Sequence, residues 1–164
     1  MVDTILSDPL TNDVHHILEE GGASDSNLLT VLDRVLARFE CPVGTIHSLE
    51  LASGMLTLRA QRGVPGILIE KVSKIPIGKG MAGLAAERRE PVQVCNLQTD
   101  ESGFAKPSAR ETKMEGSITV PMLVGGTLCG TLGVAKPIAY EFSKAETDLL
   151  QHTGNLIARH LDPI

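Results

Sequence analysis

Aromatic side chains are scarce in this chain: three Phe, one Tyr and no Trp among 164 residues. Nucleic-acid binders carry a net basic face and stack bases on aromatic platforms. With so few rings and a formal charge of −5, nucleic acid is not an expected partner. Cysteine is scarce as well. Cys41, Cys95 and Cys129 are widely spaced, odd in number and outside any C-x-x-C pair, which argues against a disulfide framework and a zinc site. They are expected to be half-buried thiols packing as small hydrophobes, with a redox pair as the alternative. No apolar run approaches the roughly 20 residues that a membrane span requires. The opening "MVDTILSDPLTNDV" has Asp3 where a signal peptide would have a basic stretch, so no signal peptide is expected and the cytoplasm is the expected compartment.

What is present is the material of one globular domain: 42% hydrophobic residues and 21% charged ones, in a chain long enough to bury a core. Asp8-Pro9 opens a short helix, expected over about residues 9–20, with Leu10, Val14, Ile17 and Leu18 on one face and Gly21-Gly22 as its stop. After the polar turn "ASDSN", Leu28, Leu29, Leu32, Val35, Leu36 and Phe39 recur at helical spacing until Cys41-Pro42 breaks the run. The texture then changes. "VGTIHSLE" and "MLTLRAQRG", joined by "LASG", predict a hairpin, and "VPGI" is taken as loop. Ile75-Pro76-Ile77 suits a sheet-edge strand, "MAGLAAERRE" a helix ended by Pro91, and "VQVCNL" a further strand. Residues 98–115 are polar and long for a loop, a length often associated with function. "GSITVPMLVGGTLCGTLGVA" predicts a hairpin turning at Gly125-Gly126. In the last helix, Ser143 and Glu146 form a capping box ahead of Leu149, Leu150, Leu156, Ile157 and Leu161. Consecutive hairpins with helices at both ends imply an α+β fold, an antiparallel sheet with helices packed on it.

The stretch "KIPIGKGMAGLAAERREPVQV" carries a Gly-x-Gly-x-x-Gly pattern at Gly78, Gly80 and Gly83. A Walker loop is excluded, because Lys79 lies between two glycines and no Ser or Thr follows. A dinucleotide site would need a βαβ unit and an acidic residue about 20 positions on, and the flanking strands read as hairpins instead. Gly78 and Gly80 therefore supply turn geometry and Gly83 a close helix approach. The helix start near Met81–Gly83 still offers free amides to an anion.

The succession "IPIGKGMAGLAAERREPVQVCNLQTD", "GSITVPMLVGGTLCGTLGVAKP" and "FSKAETDLLQHTGNLIARHL" resembles a GAF domain, from about Leu28 to Leu161. The resemblance implies a GAF/PAS-like antiparallel sheet, with terminal helices on one face and a ligand-pocket helix and loop on the other. The whole chain, 1–164, is then one such domain, either an excised module or a stand-alone protein working with a signalling partner. Among GAF proteins, free methionine-(R)-sulfoxide reductases use three thiols, and the aligned positions here hold Val72, Ala82 and Arg110. Cyclic-nucleotide and bilin-binding signatures lack full counterparts.

The implied function is thus sensing of a small ligand whose identity, like any cofactor, is unknown. The alternative is a homodimerisation module without ligand. Residues 71–113 hold eight Lys or Arg against five acids, a net of +3 within a chain total of −5, so the remainder carries −8. That asymmetry would focus an anion toward the cavity, or else the charges solvate a helix face and a loop; Arg88 and Arg89 are expected to point to water. From strand parity and the resemblance, Met81, Ala82, Cys95, Asn96, Phe104, Arg110, Ser117, Thr119 and Thr131 are the candidate ligand contacts. His47 is read as a core or surface histidine, and no role is assigned to His15, His16, His152 or His160. The apolar face of the first helix, with Val14, Ile17 and Leu18, predicts a homodimer.

Overall fold

The computed structural model describes residues 5–161. In chain order its elements are α1 (Pro9–Gly21), α2 (Asp25–Phe39), β1 (Val43–Glu50), β2 (Met55–Arg62), α3 (Ile69–Ser73), β3 (Lys74–Pro76), α4 (Gly80–Arg88), β4 (Val92–Val94), β5 (Ser117–Val124), β6 (Thr127–Ala135) and α5 (Lys144–Ala158). Short 3₁₀ turns occupy Gly66–Leu68 and Pro107–Thr112. The strands form one sheet in the order β3-β2-β1-β6-β5-β4, every pair antiparallel. Helices α1, α2 and α5 cover one face, while α4 and the loop after β4 lie over the other, the α+β arrangement that the sequence predicts. Among the described residues, no helix is long and apolar enough to cross a membrane.

The terminal-face core follows from helical spacing. In α2, Leu28, Val31, Leu32 and Val35 are fully buried, each such side chain contributing about 1.5–3 kcal/mol relative to exposure. They meet the inward row of the sheet, in which Ile46, Leu132, Ile118, Val120 and Met122 are also fully buried. Ser24 caps α2 one turn before the expected start, its hydroxyl accepting from the Asn27 amide, so most of the "ASDSN" segment is helical. Asp8 caps α1 in the same way and holds Arg38. Leu10, Val14 and Leu18 of α1 are buried in the core against α2 and α5. That intrachain packing occupies the apolar face on which the homodimer expectation rested.

Two features tie α5 and α2 to the sheet. Where the β5 register slips between Met122 and Leu123, α5 supplies the missing partners. Asn155 Oδ1 accepts from the Leu123 amide at 3.0 Å, and Gln151 donates to the Pro121 carbonyl at 2.6 Å. Beside them, a Cβ on Gly154 would stand 3.2 Å from Met122 and 3.3 Å from Val120, so helix and strand touch without spare room. At the end of α2, the nearly buried Lys136 donates to the carbonyls of Phe39 and Glu40. Its ammonium lies 4.7 Å from the centre of the Tyr140 ring and 5.9 Å from that of Phe142. The cation thus compensates the negative end of a helix dipole inside the protein.

On the opposite face a smaller core of Leu56, Ala86 and Leu128 seats α4. The preceding turn needs its glycines: Gly78 and Gly80 have φ of +92° and +65°, a region costly for other residues. A Cβ on Gly83 would press into the Pro76 carbonyl at the end of β3. Several boundaries differ from the sequence reading. "VPGI" leads into a 3₁₀ turn and α3, where only loop was expected. Helix α4 stops at Arg88 rather than at Pro91, because Arg89 is left-handed and its guanidinium bonds the Gly126 carbonyl at 2.7 Å. Strand β4 covers only Val92–Val94, since the Cys95 carbonyl accepts from the Tyr140 amide instead of a strand. Arg88 and Arg89 are both exposed, as expected, and Arg88 also lies over the Phe104 ring at 4.8 Å.

Candidate functional site

Strand alternation decides which side chains face the gap between the sheet and α4. On β5, Ser117 and Thr119 point opposite to Ile118, Val120 and Met122, and both line a cavity of about 340 Å³. Register then carries the same face across the sheet. Thr119 pairs with Gly133 on β6, and Gly133 pairs with Thr45 on β1. Two hydroxyls therefore flank a glycine on the cavity floor. A Cβ on Gly133 would stand 2.9 Å from Thr119 Oγ1 and 3.6 Å from Thr45 Oγ1, so the missing side chain is what keeps the notch open. Neither hydroxyl has a partner among the described residues.

The walls come from three further segments. The 3₁₀ turn and α3 contribute Leu68, Lys71 and Val72; the glycine turn and α4 contribute Lys79, Gly80, Met81 and Ala82; the loop after β4 contributes Ala105, Lys106, Ser108, Ala109 and Thr112. Most of this lining is apolar, as small-molecule pockets usually are. Its charged members are Lys71, Lys79 and Lys106, and among the described residues no Asp or Glu lines it. None of these lysines makes an ion pair among the described residues. Helix α4 has no side-chain cap, so the amides of its first turn add positive potential at the same wall.

His47 is one step along β1 from the floor triad and also lines the cavity. It is only 1% exposed. Its Nε2 lies 2.7 Å from the Val72 carbonyl; a carbonyl can only accept, so Nε2 carries the proton and Nδ1 presents a lone pair. Among the described residues Nδ1 has no partner, and neither has the buried Oγ1 of Thr131, the residue directly opposite on β6. Burial holds the ring neutral and its pKa below the ordinary value, the Val72 bond acting weakly the other way.

Of the nine candidate contacts, Met81, Ala82, Ser117 and Thr119 line the cavity, and the structure places the other five outside it. Cys95 is exposed. Asn96 donates to Glu115 and accepts from the Gln98 amide, holding the root of the loop. Phe104 lies under Arg88, and Arg110 donates to the Asp100 carbonyl; both fasten the loop that covers the cavity rather than its contents. Thr131 is buried and is not among the lining residues. Thr45, His47, Gly133 and the three lysines are among the lining members that the candidate contacts left out. Alternation along β1 could have found Thr45 and His47, but Gly133 needed the register. No cysteine lines the cavity, and burial raises the Cys41 thiol to about 11. Among the described residues no cluster of His, Cys, Asp or Glu could hold a metal ion.

Comparison with known proteins follows this geometry. The model of one family, described as the GAF domain, matches residues 25–162. The GAF domain of a phosphoenolpyruvate-protein phosphotransferase from Coxiella burnetii is similar in structure, with a TM-score of 0.75 at 19% identity, covering 92% of this chain and 91% of that one. A free methionine-R-sulfoxide reductase from Neisseria meningitidis, solved in complex with its substrate, gives 0.74 at 17% identity, covering 94% and 90%. A putative GAF sensor protein from Burkholderia vietnamiensis gives 0.73 at 19%, covering 97% and 94%. No curated protein matches the sequence.

Proposed function

The chain belongs to the GAF domain family, and from that premise we propose that it is a small-molecule sensor whose cavity takes a compact anion and whose occupancy is read by a signalling partner. The observation that carries this reading is the charge of the lining: among the described residues, three lysines without an ion pair and no Asp or Glu around a mostly apolar space of about 340 Å³. An anion entering such a space would meet the summed positive potential of the three exposed lysines at its walls. The hydroxyls of Thr45 and Thr119 supply orientation at the floor. Thiol chemistry has less support, because Cys41, Cys95 and Cys129 all stand away from the cavity lining.

The test is a thermal-shift and calorimetric panel of inorganic phosphate, succinate, malate, citrate, tricarballylate, lactate and propionate, with putrescine and glycerol as cationic and neutral controls. Binding at a hundred times Kd adds about 2.7 kcal/mol to stability, a shift readily measured. At least one anion is expected to bind, neither control should, and Lys71→Gln, Lys79→Gln and Lys106→Gln together should abolish the response. Binding of putrescine in place of the anions, or an undiminished response in the triple variant, would refute the reading.

A further inference from the structure

Resting on that reading, we infer that the ligand is an amphipathic monoanion, one small anionic head on an uncharged and largely apolar body, with the head at the rim of the cavity and the body inside. The distribution of charge across the lining carries this. Lys71, Lys79 and Lys106 are exposed, and every other lining residue is half-buried or buried. Among the described residues the cations of the site therefore stand only at its outer edge. Two of them share one stretch of that edge. A Cβ on Gly80 would lie 3.6 Å from Cγ of Lys106 and 3.9 Å from its Cδ and Cε, so the Lys106 stem crosses the turn that carries Lys79. Helix α4 begins at that turn without a side-chain cap.

Inward of the rim the lining changes character. Leu68, Val72, Ile75, Ala82 and Leu97 supply apolar wall. The floor of Thr45, Gly133 and Thr119 supplies hydroxyls but no charge, and His47 is held neutral by its burial. A carboxylate carried to this depth would leave water without a counter-ion, which is costly, and two hydroxyls do not replace its hydration. Methylene groups entering the same space gain by leaving water. A charge at one end and apolar bulk at the other is the distribution that matches both halves of the lining. The site thus selects against a second anionic group as well as for the first.

Calorimetry on the intact chain compares two series: propionate, butyrate, pentanoate and hexanoate, and the dicarboxylates of equal carbon number, malonate, succinate, glutarate and adipate. Affinity is expected to rise about fourfold with each methylene of the monocarboxylates, roughly 50-fold from propionate to hexanoate. Adipate should bind about tenfold or more weakly than hexanoate. In Lys79→Gln every monocarboxylate should weaken by a similar factor, with the step per methylene unchanged. Proton NMR of wild type gives the orientation without any variant. Nuclear Overhauser effects should connect the terminal methyl of hexanoate to the methyl groups of Ala82, Leu97 and Thr119, and its carboxylate-side methylene to the lysine side chains. A flat monocarboxylate series, a dicarboxylate that equals or exceeds its partner, or the reverse orientation would overturn the inference, and the anion reading would stand wherever some anion still binds. Failure of every anion in both series and in the thermal-shift panel would overturn both.

Discussion

Replacing Gly133 by Ala should separate stability from binding. Gly133 is the floor of the cavity between Thr45 and Thr119, and the new methyl would meet only one atom closer than ordinary contact, Thr119 Oγ1 at 2.9 Å. The next neighbours, Thr45 Oγ1 at 3.6 Å and the Ile118 carbonyl at 3.7 Å, are at normal distance. The Thr119 hydroxyl can swing aside, at about 0.5–1.5 kcal/mol for an off-rotamer torsion. Against that, alanine restricts the unfolded chain and returns about 0.4–1 kcal/mol. The two nearly cancel, so the free protein should melt within about 4 °C of wild type. Binding has no such compensation. The methyl fills the notch between the two hydroxyls, and overpacking of about 1–3 kcal/mol weakens the best anion of the panel roughly 5- to 150-fold. Thermal melts of the free protein and calorimetry with that anion are the assays. Gly130, on the same strand, is the control, because a Cβ there would collide with the His47 backbone carbonyl; Gly130→Ala should lose stability outright. Unchanged anion affinity in Gly133→Ala would refute the placement of ligand on this floor, and a melting loss as large as that of Gly130→Ala would refute the open notch.

Lys136→Met should lower stability by about 2–3 kcal/mol, because charge-assisted bonds to two carbonyls and the aromatic contacts disappear. Chemical denaturation measures this, and a change under about 0.5 kcal/mol would show the buried cation to be dispensable. Acidification should destabilise the fold below about pH 6.5, the ordinary histidine value. Burial depresses His47, so the unfolded chain takes up a proton that the folded one declines, and stability present above that pH is lost below it. His152 is depressed by burial and by Arg159 and acts in the same sense. His47→Gln should therefore remove part of this acid limb while leaving the alkaline side unchanged, as urea titrations across pH would reveal.

The elements legible in the sequence are those whose signals are local. The capping box at Ser143 and Glu146 forms with both its bonds, and the Gly125-Gly126 hairpin lies where its turn chemistry puts it. Helix α3 escaped notice because it has five residues, no buried side chain and no side-chain cap. Where tertiary bonds intervene, local signals fail: Arg89 ends α4 by reaching Gly126, and Tyr140 takes the carbonyl that would extend β4. The site divides in the same way. Ser117 and Thr119 follow from period-two alternation within one strand. Gly133 and the unsatisfied face of His47 depend on which strands are neighbours and in what register, which no single strand encodes. Phe104 and Arg110 have the side-chain types expected of a ligand shell, yet their partners are Arg88 and the Asp100 carbonyl.

The contact between Gly154 and β5 makes the sheet a taut diaphragm. One side of β5 carries Ser117 and Thr119 at the cavity; the other carries Val120 and Met122 hard against α5. Gln151 and Asn155 pin the same strand at Pro121 and Leu123. With no slack in that joint, a strand displaced by a few tenths of an ångström cannot move alone, because close-packed interiors pass strain on rather than absorb it. The last helix moves with the membrane of strands it rests on, and the chamber on one side is mechanically audible on the other.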